Sequence, residues 1–111
     1  MNSYRTENYI KDKVIVITGA SSGFGKETAK KAAELGGKVV LAARREELLR
    51  EITQEIRESG GEASYIKTDV RVKDQVNAMA KFAVDTYGRI DVLVNCLLYT
   101  SDAADDLTRV D

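Results

Sequence analysis

The stretch Val14-Ile15-Val16-Ile17-Thr18-Gly19-Ala20-Ser21-Ser22-Gly23-Phe24-Gly25 decides how this chain folds. Four consecutive branched apolar residues, with no polar alternation, predict a strand buried on both faces, as in a parallel sheet. Gly19, Gly23 and Gly25 follow, and Lys26-Glu27-Thr28-Ala29-Lys30-Lys31-Ala32-Ala33 then reads as a helix. Strand, glycine-rich turn and helix in that order make a phosphate-binding site. The glycines permit a sharp turn, close approach of backbone to a pyrophosphate, and tight packing of helix on sheet. The helix N-terminus adds free N–H donors and the positive end of its dipole. A plain structural turn is the competing reading, and the flanking strand and helix weigh against it.

The first strand is read from Lys13 to Thr18, and the helix is expected to run to about Leu35, with Gly36-Gly37 as a left-handed cap. Lys38 to Ala42 is a second strand. Glu46 to Ser59 carries Leu48, Leu49, Ile52 and Ile56 on one side of a helix that Gly60-Gly61 ends. Glu62 to Thr68 is a weaker third strand, running into Asp69-Val70. From Val72 or Lys73 to Tyr87 a long helix turns Val76, Met79, Ala80, Ala83 and Tyr87 inward, with Gly88 as its cap. Asp91 to Asn95 is a fourth strand. Strands alternating with helices predict an α/β fold, half of a Rossmann-type doubly wound parallel sheet with strand order 3-2-1-4. A nucleotide then belongs at the carboxyl ends of the strands, over the first one.

At 111 residues, with 43% hydrophobic and 32% charged residues, the chain suits one domain. Seventeen basic against eighteen acidic side chains leave no strong field for nucleic acid or an anionic membrane. Residues 1–10 read as a polar leader without an apolar core, and no stretch is long enough to span a bilayer, so a cytoplasmic protein is expected. A lone cysteine, Cys96, and the lack of histidine exclude an internal disulfide and argue against a metal site.

Thr18 to Gly25, Asp69-Val70 and Val92-Leu93-Val94-Asn95 together resemble the short-chain dehydrogenase/reductase family, over roughly Lys11 to Asn95. The resemblance implies a domain that binds NAD(H) or NADP(H), an enzyme moving hydride between the nicotinamide and a small carbonyl or alcohol substrate, and a parent protein that forms homo-oligomers. It implies cofactor contacts from Gly19, Ser21, Ser22, Gly23, Phe24 and Gly25. Asp69 is similar to the aspartate that meets the adenine amino group, with the Val70 backbone beside it; an N-cap for the next helix is the other reading. Asn95 resembles the first asparagine of the family's Asn-Asn-Ala-Gly motif, which lines the cofactor cleft, or is an ordinary strand-end asparagine. The second strand ends in Ala42-Ala43-Arg44-Arg45 where an acidic residue would bind an unphosphorylated ribose. A guanidinium instead suits a 2′-phosphate, so NADP(H) is preferred and NAD(H) possible, through Arg44 with support from Arg45 and Ser21. Exposed arginines that merely solvate a loop are the alternative.

The family's catalytic tyrosine and lysine lie in a Tyr-x-x-x-Lys pair, with a serine upstream. Tyr9 and Lys13 have that spacing but precede the first strand, at the wrong end of the sheet; Tyr4, Tyr65, Tyr87 and Tyr99 have no lysine four residues on. No catalytic residue is therefore expected in this chain, and a catalytically inactive nucleotide-binding fragment is the alternative function. A sheet ending at the fourth strand leaves an apolar edge prone to aggregation. After Asn95 the family pattern stops, and Cys96 to Asp106 resembles a translated transposon-end adapter from DNA library preparation. The expected domains are thus a leader over 1–10, a dinucleotide-binding half-domain over 11–95 and a non-native tail over 96–111. An authentic acidic tail is the alternative; a calcium loop is excluded because residues 96–111 hold neither glycine nor glutamate.

Overall fold

The computed structural model describes residues 9–96; the rest of the expected leader and tail, with Tyr4 and Tyr99, lie outside the described residues. Among the described residues the elements run in the order β1 (Val14–Thr18), α1 (Gly23–Glu34), β2 (Lys38–Ala43), α2 (Glu46–Glu58), β3 (Glu62–Lys67), α3 (Lys73–Tyr87) and β4 (Val92–Asn95). The strands form one parallel sheet in the order β3-β2-β1-β4. Every expected element is present, with ends moved by one residue. Thr68, expected in β3, leaves the strand while its N–H still donates to the Ala43 carbonyl at 2.7 Å.

Side chains along β1 and β2 alternate between two cores. Ile15, Ile17, Val39 and Leu41 face α1 and α2, where Ala29, Ala33, Leu49, Ile52 and Ile56 close over them. Val16, Val40 and Ala42 face α3 and pack on Met79 and Ala83. Helices on both faces explain why β1 needs apolar residues without interruption. On α2 the inward stripe is Leu49, Ile52, Thr53 and Ile56, with Leu48 only half-buried. That corrects the expected set, because spacings of three, four and seven residues define one helix face and Leu48 lies beside it. The fully buried Thr53 hydroxyl has no hydrogen-bond partner among the described residues.

Among the described residues β4 is an edge strand, paired only with β1, and its Leu93 is 61% exposed. Between this edge and α1 an open groove is lined by Ile10, Ile15, Ala32, Leu35, Val92 and Val94. Asp91 fixes where β4 begins. Its carboxylate accepts from the Val14 N–H at 2.8 Å and from Arg89 Nε at 2.9 Å, and its own N–H donates to the Val14 carbonyl at 2.9 Å. No helix among the described residues is long and apolar enough to cross a membrane.

Two predictions follow from this packing. Leu41 is fully buried, so Leu41→Ala should cost about 2–5 kcal/mol in urea unfolding, whereas Leu93→Ala should stay within about 0.5 kcal/mol; equal costs would contradict the layering. The bond from Val14, with Arg89 beside it, holds the Asp91 carboxyl below its ordinary value of 3.8. Its stabilisation is therefore complete above that ordinary value and fades as pH falls toward the lowered native one. Asp91→Asn should lose less melting temperature than the unaltered chain between about pH 5 and pH 3, and identical acid profiles would remove Asp91 from that role.

Candidate functional site

At the carboxyl end of β1 the chain turns at Gly19, whose φ of +68° lies in the left-handed region. A Cβ there would run into the carbonyl of Cys96, which follows β4. Gly25, in the first turn of α1, would carry a Cβ only 2.6 Å from the Gly19 carbonyl oxygen and 2.8 Å from the Ala20 Cα. Gly23 is different: nothing lies within 4 Å of the Cβ it would bear. The three glycines thus divide into one for the turn, one for helix-to-turn contact and one facing open space, the division a pyrophosphate cradle requires.

Ser22 caps α1. Its hydroxyl accepts from the Gly25 N–H at 3.0 Å and donates to the Gly19 carbonyl at 3.0 Å. The Ala20 N–H donates to Ala42 of β2 at 3.2 Å, so the turn is tied to the neighbouring strand. The N–H groups of Gly23 and Phe24 have no acceptor among the described residues. The first turn of α1 holds no acidic side chain, whereas α2 has Glu46 and Glu47 there and α3 has Asp74. Helices α2 and α3 therefore neutralise their own positive ends, and α1 leaves its end open to an external anion. Phe24 is 77% exposed beside it, and Ser21 is half-buried.

The remaining expected residues stand along the same edge of the sheet. Arg44 and Arg45 are exposed after β2. Asp69 and the exposed Val70 follow β3. Asn95 ends β4, where its Oδ1 accepts from the buried Thr18 hydroxyl at 2.6 Å and joins the ends of β1 and β4. The N-cap reading of Asp69 is not realised: Val72 precedes α3 without a side-chain cap. The Asp69 carboxylate is taken by Arg71 instead, from its backbone N–H at 3.0 Å, Nε at 3.1 Å and Nη2 at 3.0 Å. Sequence reasoning missed this contact, although an aspartate two residues before a backbone N–H is the pattern of an Asx turn. Tyr9 and Lys13 lie at the amino end, with Lys13 Nζ 5.6 Å from the tyrosine ring centre, away from this edge.

The sequence pattern of the short chain dehydrogenase family matches residues 13–104. The chain belongs to this family. Its relatives include an oxidoreductase of Bacillus subtilis, YxnA, 55% identical over 86 residues, which cover 78% of this chain and 24% of that protein. Two crystal structures of short-chain dehydrogenases are each 42% identical. A metagenomic short-chain oxidoreductase in complex with NADP superposes with a TM-score of 0.72 over 76% of this chain and 38% of that one. A Burkholderia phymatum enzyme in complex with NAD gives 0.74 over 76% and 30%. The chain thus spans about a quarter of YxnA and about a third of the two solved relatives.

The distinct roles of the glycines separate by stability. Gly19→Ala and Gly25→Ala should each lower unfolding free energy by about 1–3 kcal/mol, the first from its left-handed backbone and both from backbone overlap. Gly23→Ala should remain within about 0.5 kcal/mol. A Gly23→Ala loss as large as the other two would refute the open cradle.

Proposed function

We propose that this chain is the NADP(H)-binding portion of an oxidoreductase that transfers hydride between a nicotinamide cofactor and a carbonyl or alcohol substrate. One observation carries the reading: unacidified helix α1 presents the unbonded N–H groups of Gly23 and Phe24 beside a glycine with open space where its side chain would be. Those amides, with the helix dipole, suit the diphosphate. Gly19 and Gly25 hold the turn that aims them, and Ser22 keeps it closed by bonding at both ends. NADP(H), when bound, supplies or accepts the hydride.

Selection between the two dinucleotides falls to Arg44, with Arg45 and Ser21 in support. β2 ends without a carboxylate, so a 2′-phosphate meets a guanidinium fork instead of like charge. Asp69 and the Val70 backbone take the adenine, and Asn95, fixed by Thr18, lines the cleft toward the nicotinamide. NAD(H) is the weaker ligand. Assembly into homo-oligomers and a cytoplasmic setting belong to the same proposal for the whole protein, as does the boundary of the binding unit at 11–95. A purely nucleotide-binding role for the chain by itself is favoured by the placement of Tyr9 and Lys13 at the amino end, remote from the cleft.

Binding titrations test the assignment. Arg44→Asp should weaken NADP by about tenfold or more while sparing or improving NAD, and unchanged NADP affinity would remove Arg44 from the site. Gly23→Ala should weaken both dinucleotides alike.

A further inference from the structure

Arg44 and Asp69 emerge from adjacent strands as neighbours. The Ala43 carbonyl accepts the Thr68 N–H at 2.7 Å, and each residue of interest follows directly on one member of that pair. Placed so, a cation and an anion attract each other. An Asp69 carboxylate without another partner would draw Arg44 onto itself and repel a phosphorylated ribose arriving there.

Arg71 changes that outcome. Its Nε donates to one Asp69 oxygen at 3.1 Å and its Nη2 to the other at 3.0 Å, a planar fork matched to the carboxylate, while its backbone N–H adds a third bond at 3.0 Å. The hydrogen bonds from Arg71, and more distantly the charge of Arg44, hold the Asp69 carboxyl at about 2, so it is anionic throughout the neutral range. Arg44 makes no hydrogen bond or ion pair among the described residues. Asp69 Oδ1 accepts two of the three bonds from Arg71 and Oδ2 one, so Oδ2 still has lone-pair capacity for an amino group such as that of adenine.

We propose that Arg71 is a positioning residue for cofactor selection: by engaging both oxygens of Asp69 it keeps that carboxylate from claiming Arg44, and leaves Arg44 to take a ribose 2′-phosphate. The proposal rests on the NADP(H) reading of Arg44 given above. It predicts an effect on the ratio of two affinities, which loss of general structure would not produce.

The test is calorimetric titration of NADP and NAD into the full chain, as wild type, Arg71→Ala, Arg71→Lys and the double variant Arg71→Ala with Asp69→Asn. Arg71→Ala should lower the NADP-over-NAD affinity ratio by about fivefold or more, as Asp69 turns to Arg44. Neutralising Asp69 in the double variant should restore that ratio. Arg71→Lys keeps the charge without the planar fork, also serves if the alanine variant does not fold, and should lower the ratio by about twofold. An unchanged ratio in both single variants, or a fall that Asp69→Asn does not reverse, overturns the role of Arg71. Wild type that binds neither dinucleotide, or prefers NAD, overturns instead the reading on which it rests.

Discussion

Backbone meets backbone where Gly25 of α1 lies against Gly19 and Ala20, and this approach governs the rest of the carboxyl-end architecture. A side chain on Gly25 would stand 2.6 Å from the Gly19 carbonyl oxygen, so α1 would have to lift from the turn. With no side chain there, α1 starts immediately beyond β1, and its first amides point over the edge where β1 to β4 end. Ser22 can then reach both Gly19 and Gly25 with one hydroxyl. A cap worth about 1 kcal/mol in an ordinary helix here also fixes the direction in which the unbonded N–H groups face.

The same turn depends on a residue far along the chain. The Cys96 N–H donates to the Thr18 carbonyl at 2.9 Å, Cys96 is buried, and its carbonyl occupies the space a Gly19 side chain would need. The Thr18 hydroxyl bonds Asn95 across the same gap. The end of β4 therefore helps impose glycine at a position 77 residues earlier, and parallel pairing of β1 with β4 is a condition for the cradle. Asp91 sets that pairing from the opposite end through Val14.

Most of the fold was legible because its signals are local or periodic. An unbroken apolar run marked β1 as a two-sided strand, and the stripe through Met79 and Ala83 placed the inner face of α3. The parallel sheet followed from the alternation of strand and helix, and its order from the Rossmann-type reading. What escaped were contacts between residues brought together only by folding, or by turn geometry with little sequence signal. Thr53 was missed because a polar residue on the inward stripe of α2 looks like surface until neighbours enclose it. The Arg71 clamp was missed because helix capping and an Asx turn use the same aspartate, and only the backbone path into α3 separates them. At the candidate site, the internal commitments of Ser22 and Asp69 were not legible: both spend hydrogen-bonding capacity inside the protein.

The central claim is that the exposed start of α1 holds a dinucleotide diphosphate. It is tested most directly by amide-resolved NMR titration of the ¹⁵N-labelled chain with NADP. The Gly23 and Phe24 amide resonances should show the largest shifts, saturating together with those of Arg44. Saturable binding that leaves Gly23 and Phe24 unmoved while shifting amides at the opposite, amino end of the sheet would contradict the account.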